Sequence, residues 1–238
     1  MPSHNVGSVS HEYNFQELRG VVPLSRLEEI RESANRHLSP DGEPYRVATL
    51  YLDTPELEML HGMYARADVI YRIRHYEGDA SVWLERKRRL GHAVSKRRSA
   101  WPLGDLSAVL SGGARLSQEW PERIRSEIQA RELGVRTIVT FRRTAWVSEK
   151  LRLTLDERVE AAQHADMRRI APASQSVPML SNSAVIEFKT ESETRPVVMS
   201  ELMKELAIEP QAFSKYIASA RVLGIGPTRS DEAQESAT

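Results

Sequence analysis

Apolar and polar residues alternate along much of the chain with a period of two. In a β-strand, such alternation places the two kinds of side chain on opposite faces of the sheet. The segments with this pattern are 45–52, 69–76, 81–89, 93–101, 136–149, 150–159 and 184–190. Turns that contain glycine, Glu77-Gly78-Asp79 and Leu90-Gly91-His92, separate the second, third and fourth segments. We therefore predict antiparallel strands, several of them joined by short hairpins.

A few segments repeat their apolar residues with the period of a helix instead. Residues 24–38 are predicted to form a helix, and Ser25 and Glu28 have the spacing of a capping box at its start. Residues 199–206 and 210–223 are also predicted helices, and residues 106–133 form a less regular, partly helical region. Many antiparallel strands with few helices indicate an α+β fold.

No repeat or linker divides the chain between its two ends. We expect one domain that spans residues 11–226, with flexible ends at 1–10 and 227–238, because both ends have few apolar residues. Asp53 precedes Thr54-Pro55, so we expect it to form a turn rather than to bind a ligand.

One face of these strands is charged. The charged residues that share a face are Arg72 with Arg74, Glu85 with Lys87, Arg152 with Asp156, Glu187 with Lys189, and Glu17 with Arg19. For any one strand, the simplest interpretation is a half-exposed sheet whose charged side lies in water. The same pattern in five strands favours a closed antiparallel barrel, with the charged faces inward and the apolar faces outward under helices and loops.

A bore lined with charges has a consequence for its ligand. Crowded cations repel one another, and unpaired buried charge is costly, so the bore must stay wet or hold an anion. A chain of phosphates suits it, because its oxygens match arginine guanidinium groups. Glutamates do not bind phosphate directly, but they can hold Mg²⁺ or Mn²⁺ that bridges to phosphate oxygens.

The composition excludes several other classes of protein. The 238 residues have a formal net charge of zero and no cysteine, so we expect no nucleic-acid partner, no disulfide and no cysteine-based metal site. No apolar run is long enough for a signal peptide or a transmembrane helix, and we expect a cytoplasmic location. Neither a P-loop nor a Gly-x-Ser-x-Gly motif is present.

Nine strings, in one order, carry a resemblance to a known family. They are Glu17-Leu-Arg19 before Val-Val-Pro, Thr49-Leu-Tyr-Leu-Asp53-Thr-Pro, Tyr71-Arg-Ile-Arg74-His-Tyr76, Val82-Trp-Leu-Glu-Arg-Lys87, Ser95-Lys-Arg-Arg98, Phe141-Arg-Arg143-Thr-Ala, Leu151-Arg-Leu-Thr-Leu-Asp156, Val185-Ile-Glu-Phe-Lys189 and Phe213-Ser-Lys-Tyr216. Over residues 15–223 the chain resembles the vacuolar transporter chaperone (VTC) domain, the polyphosphate polymerase branch of the CYTH-like triphosphate tunnel metalloenzymes.

The resemblance implies a fold and a set of site residues. The fold is a closed antiparallel eight-stranded β-barrel, the triphosphate tunnel, with covering helices. The implied catalytic cations are Arg72, Arg74, Lys87, Lys96, Arg143 and Arg152. Further phosphate-binding residues are Arg19, Arg66, Lys189, Ser214 and Lys215. The implied ligand of Mn²⁺ or Mg²⁺ is Glu187, with Glu17 and Glu85 as helpers.

The first strand departs from the family pattern. The family has Glu-x-Lys there, and this chain has Glu17-Leu-Arg19. An arginine keeps the cation but not its compact geometry. The related CYTH triphosphatases carry Glu-x-Glu-x-Lys, and Phe15 occupies the first of those positions, which favours the VTC branch.

Three functions remain open at this point. The first is metal-dependent phosphoryl transfer from a nucleoside triphosphate, with ATP as donor and polyphosphate as product. The second is a triphosphatase that transfers the same group to water, and the third is a polyphosphate-binding module without catalysis. The resemblance also allows for a membrane partner encoded separately.

Overall fold

A computed structural model of the chain describes residues 11–64, 69–90, 93–106, 119–164, 166, 169–171 and 175–226. The flexible ends predicted for 1–10 and 227–238 lie outside these residues, as does the predicted phosphate ligand Arg66.

All seven predicted strand segments are present, with ends that shift by a few residues, and β1, β2 and β9 are added to them. The strands are β1 His11–Pro23, β2 Ser39–Pro40, β3 Tyr45–Asp53, β4 Val69–Tyr76, β5 Ser81–Leu90, β6 Ala93–Pro102, β7 Gly134–Val147, β8 Arg152–Gln163, β9 Val177–Pro178 and β10 Ser183–Thr190. All pairs are antiparallel, as the alternation predicted.

Eight of these strands close into a barrel. Their order is β7-β3-β4-β5-β6-β1-β10-β8, and β8 pairs again with β7 to complete the ring. The two-residue strands β2 and β9 attach to β7 and β8. The predicted closed eight-stranded barrel is therefore confirmed.

Five α-helices occur in the part of the chain described above. They are α1 Leu27–His37, α2 Glu58–Tyr64, α3 Glu119–Ala130, α4 Val197–Glu205 and α5 Lys215–Val222. None of them is long and apolar enough to cross a membrane.

Two details of the helix prediction are wrong. The capping box at Ser25 does not form, because Leu24–Arg26 is a 3-10 turn and the cap residue of α1 is Arg26, without a side-chain cap. The helix expected from residue 210 begins only at Lys215, since the preceding segment runs along β1, where the Gln211 N–H donates to the Arg19 carbonyl.

The apolar faces of the strands point outward and pack under the helices. Ile30 of α1 and Leu202 of α4 cover Leu153 and Phe188 of the barrel wall, and all four side chains are fully buried. On the other side, α2, α3 and α5 pack on β3, β4 and β7 in a second apolar cluster. The hydrophobic effect thus stabilises the outside of the barrel, which leaves the charged faces to line the bore.

Candidate anion-binding and metal site

The bore contains a cavity of about 1210 Å³. Its lining brings together most of the predicted site residues, namely Glu17, Arg19, Arg72, Arg74, Lys87, Lys96, Arg143, Arg152, Glu187, Lys189, Ser214 and Lys215. Glu85 lies behind this lining, is fully buried and contacts two of its cations. The charged faces of the strands therefore point into the bore, as the alternation predicted.

Strands β4, β5 and β6 form one side of the bore, which we call the cation wall: Arg72, Arg74, Glu85, Lys96 and Arg98. Arg72 Nε donates to Glu85 Oε2 at 2.6 Å, and Lys96 Nζ lies 3.6 Å from Glu85 Oε1. Arg74 Nε donates to the Thr49 hydroxyl at 3.1 Å. Among the described residues, no carboxylate lies within 4 Å of the Arg74 guanidinium, so Glu85 contacts only two of the four cations of this wall.

The facing side, from β1, β7, β8 and β10, holds three acids, and we call it the carboxylate wall: Glu17, Asp156 and Glu187. Glu187 Oε2 accepts from Lys189 Nζ at 2.7 Å, and Glu187 Oε1 accepts from Lys215 Nζ at 3.0 Å. The same Lys215 Nζ lies 2.7 Å from Asp156 Oδ2. Lys215 therefore bridges Asp156 and Glu187.

The guanidinium of Arg143 binds two of these acids as well. Arg143 binds both oxygens of Asp156, at 2.6 and 2.7 Å, and its Nη2 lies 3.4 Å from Glu187 Oε2. Its neighbour Arg142 is exposed on the outside of the barrel, as the opposite orientation of successive strand residues requires.

Glu17 links the two walls. Its Oε2 accepts from Arg19 Nη2 at 2.5 Å, from Lys87 Nζ at 2.7 Å and from Arg89. Arg19 Nε also lies 3.3 Å from Glu187 Oε1. The arginine that replaces the family lysine thus contacts two carboxylates at once, as its planar fork allows.

Helix α5 covers one end of the barrel. Tyr216 is fully buried, stacks on Tyr51 with ring centroids 5.0 Å apart, and donates its hydroxyl to Asp53 Oδ2 at 2.7 Å. Asp53 also accepts the backbone N–H groups of Met59 and Leu60 at the start of α2. It is therefore more than the turn residue that the sequence suggested, because it ties α2 to α5.

The first turn of α5 faces the bore. Ser214 is its cap residue, and the Ser214 hydroxyl accepts the Ile217 N–H at 3.3 Å. Ser214 thus lines the cavity while it caps a helix, and Lys215 directs its ammonium group to the carboxylate wall.

The opposite end of the bore is the mouth, formed by the loops 41–44, 77–80 and 148–151. Arg152 lies here rather than deep in the bore. Its side chain is 38% exposed and binds Asp41. Tyr45 and Tyr76 also line the mouth, edge to face with centroids 5.8 Å apart.

The acids of the bore are held ionised. Burial opposes ionisation of Glu17, Glu85 and Glu187, but the surrounding cations outweigh it, so their pKa values lie below the ordinary range. For Glu187 the main cations are Lys189 and Lys215.

The pKa values of the buried lysines are also lowered, but for a different reason. Burial lowers the pKa of Lys87, Lys96 and Lys189, and for Lys189 the pKa falls to about 8 although Glu187 partly opposes the shift. Their charged forms are therefore costly until a further anion is present.

Inside the mouth, cations outnumber acids among the described residues of the bore. The cations there are Arg19, Arg72, Arg74, Lys87, Lys96, Arg98, Arg143, Lys189 and Lys215, and the acids are Glu17, Glu85, Asp156 and Glu187. The mouth itself adds six acids, Asp41, Glu43, Glu77, Asp79, Glu149 and Glu191, and two cations, Lys150 and Arg152. The excess of cations inside the mouth suits an anion with several charges.

The residues present also fit a divalent cation that arrives with such an anion. Among the described residues, no three His, Cys, Asp or Glu side chains are grouped so that they could hold a metal ion by themselves. Mg²⁺ and related ions, however, are commonly held by one or two carboxylates together with phosphate oxygens. Glu187 and Asp156, which share Lys215, would provide those carboxylates.

Sequence reasoning missed two side chains of the bore, and it placed Asp156 on the inward face without giving it a role. Arg98 lies two residues beyond Lys96, and Arg89 lies two beyond Lys87. The rule that residues two apart share a face would have found both arginines. Their partners depend on cross-strand register, which the alternation leaves undetermined.

Comparison with known proteins gives the family. The VTC domain family model matches residues 14–223. A search of curated proteins found no match.

Solved structures share the fold at low sequence identity. The Hippeastrum protein HpAC1, assigned as an adenylyl cyclase and described as having a dominant triphosphatase activity, superposes with a TM-score of 0.58 at 17% identity. The match covers 89% of this chain and 97% of that one. An assigned adenylate cyclase from Bacillus halodurans has a TM-score of 0.54 at 16% identity, over 84% and 95% of the two chains.

Barrel, charged bore and family match agree with one another. This chain belongs to the VTC domain family and has the CYTH-like triphosphate tunnel fold.

Proposed function

We propose that this protein transfers a phosphoryl group from a nucleoside triphosphate with the help of Mn²⁺ or Mg²⁺, and that it uses ATP to build polyphosphate. One observation carries the proposal. Inside the mouth, the bore holds nine cations, and three of the four acids there lie on one wall. Membership of a family of triphosphate-handling domains supports it.

The cation wall would position the triphosphate. Arg74 has no close carboxylate among the described residues, so its remaining donors are available to phosphate oxygens. Arg72 and Lys96, which both form ion pairs with Glu85, would orient the same triphosphate. Binding of this kind would hold the reacting phosphate in one orientation.

The carboxylate wall would receive the metal. Glu187 and Asp156 would hold the ion, which supplies charge neutralisation at the phosphate oxygens. Lys215 and Arg143, released in part from these carboxylates, would turn toward the phosphates and stabilise the negative charge of the transition state.

No protein nucleophile is required for this reaction. Phosphoryl transfer proceeds largely through positioning and electrostatic stabilisation. The acceptor is then either a phosphate chain or a water molecule. Hydrolysis is the second candidate function, because HpAC1, which shares the fold, is described as a triphosphatase.

Incubation with ATP and Mn²⁺, followed by separation of long-chain polyphosphate from free phosphate, tests the proposal. We expect chains whose formation stops when a chelator is added. Free phosphate alone would replace polymerase by triphosphatase. Absence of both products, with polyphosphate still bound, would reduce the protein to a binding module.

A further inference from the structure

Arg98 lies on the cation wall, and neither the sequence argument nor the family pattern gave it a role. It faces the bore from β6, two residues closer to the mouth than Lys96, because β6 ends at Pro102, which pairs with Ser81 beside the mouth loop 77–80. Two strand residues span about 6.8 Å. A chain of phosphates that extends from Lys96 toward the mouth therefore passes Arg98.

Two aromatic rings from neighbouring strands hold the Arg98 guanidinium. Its carbon lies 4.0 Å from the ring centroid of Trp83 on β5 and 5.1 Å from that of Tyr13 on β1. Its Nη2 also donates to the Tyr13 hydroxyl at 3.0 Å. Stacking of this kind fixes the plane of a guanidinium and favours its charged form.

The donors of Arg98 are not used by an acid. Among the described residues, no carboxylate lies within 4 Å of its guanidinium, and its buried Nε has no hydrogen-bond partner. A guanidinium has five N–H donors, and the Tyr13 hydroxyl accepts only one of them. Of the others, those on the two Nη atoms are the ones that a ligand in the cavity would use.

We propose that Arg98, clamped between Trp83 and Tyr13, is a further phosphate-binding residue that takes a phosphate on the mouth side of Lys96. The proposal rests on the proposed function, since it places one more contact along the same triphosphate. The rings of Trp83 and Tyr13 then contribute to ligand binding indirectly, because they hold the Arg98 guanidinium in one plane.

The neighbouring Arg97 provides a matched control. It lies on the same strand but on the outer face, with a side chain that is 40% exposed and paired with Glu12. An Arg97→Ala variant removes the same charge from the chain without a change in the bore.

Calorimetric titration of tripolyphosphate, with a chelator to prevent turnover, tests the role of Arg98. We expect Arg98→Ala to weaken binding about tenfold and Arg97→Ala to leave it within about twofold. Arg98→Lys should recover little of the loss, because lysine keeps the charge but has neither the fork nor the stacking plane. Trp83→Leu should give a smaller loss in the same direction.

Three results would overturn the proposal. Arg98→Ala that binds like the wild type would remove Arg98 from the site. Full recovery in Arg98→Lys would show that charge alone matters, so that the aromatic clamp has no role. Equal losses in Arg97→Ala and Arg98→Ala would indicate a bulk charge effect. If the wild type itself fails to bind tripolyphosphate, the proposed function fails first, and the two failures are thus distinguishable.

Discussion

Glu187 is the residue on which the proposed chemistry depends most. Four cations lie within 4 Å of its carboxylate: Arg19, Arg143, Lys189 and Lys215. A carboxylate in such a setting can exchange a lysine partner for a metal ion, because the surrounding cations outweigh burial and hold its pKa well below the ordinary range. The same setting makes it important for the stability of the fold.

Replacement of Glu187 by glutamine separates these two roles. We expect Mn²⁺-dependent turnover of ATP to fall about 100-fold. Binding of tripolyphosphate without metal should persist or tighten, because the bore loses a negative charge. We expect the unfolding free energy, measured by denaturant titration, to fall by about 3 kcal/mol, because a buried ionic cluster loses one of its partners.

Glu28→Gln is the control for this change. Glu28 lies on the outer face of α1 with a side chain that is 76% exposed, so turnover and stability should stay at wild-type values. Unchanged turnover in Glu187→Gln would contradict its role as metal ligand. A Glu187→Gln protein that no longer folds would mean that Glu187 is structural.

At the scale of elements, helix α5 is the part whose position the bore depends on. It brings Lys215 to the carboxylate wall, and Arg19 Nη1 donates to the carbonyl of Phe213 just before it at 2.6 Å. The Tyr216 hydroxyl ties the helix to Asp53. Burial and the neighbouring Asp53 carboxylate raise the pKa of Tyr216, so this hydroxyl remains a donor.

We expect Tyr216→Phe to loosen α5 without unfolding the barrel. The lost hydrogen bond to a charged acceptor should lower the unfolding free energy by about 1.5–3 kcal/mol. Amide hydrogen exchange should accelerate in residues 215–222 and at the start of α2. Tyr71→Phe is a suitable comparison, since it removes a hydroxyl bonded to Glu127 on α3. Equal exchange in α5 for both variants would contradict the anchoring role.

The strands were more predictable than the helices and loops. Alternation in residues 69–76 gave β4 with both ends correct, because one side of that strand is apolar and the other charged. Helix α2 was missed, since its seven residues are too few for a clear helical period. The late start of α5 depends on a segment that lies beside β1, which no local pattern reveals.

The residues that line the bore could be predicted wherever the face of a strand could be predicted. Arg72, Lys87 and Glu187 were placed correctly in the bore because parity along a strand decides which side a residue faces. The pairing of Lys215 with Asp156 and Glu187 was not predictable, since it requires both the closure of the barrel and the placement of a helix across its end.

At the scale of the whole molecule, the barrel reverses the usual arrangement of an antiparallel sheet. Helices cover the apolar faces from outside, and the charged faces enclose a cavity of about 1210 Å³. The chain has a formal net charge of zero, yet inside the mouth its bore holds more cations than acids. The proposed binding of an anion therefore depends on where the charges lie and not on their total.

The measurement that tests this account most directly is the affinity of tripolyphosphate for Arg74→Ala and for Arg142→Ala. Arg74 is a buried cation of the bore, 6% exposed, and Arg142 is a cation on the outer face of the barrel. Binding should weaken about tenfold in Arg74→Ala and stay at the wild-type value in Arg142→Ala. Equal affinities in the two variants would contradict the claim that the interior of the barrel is where the anion binds.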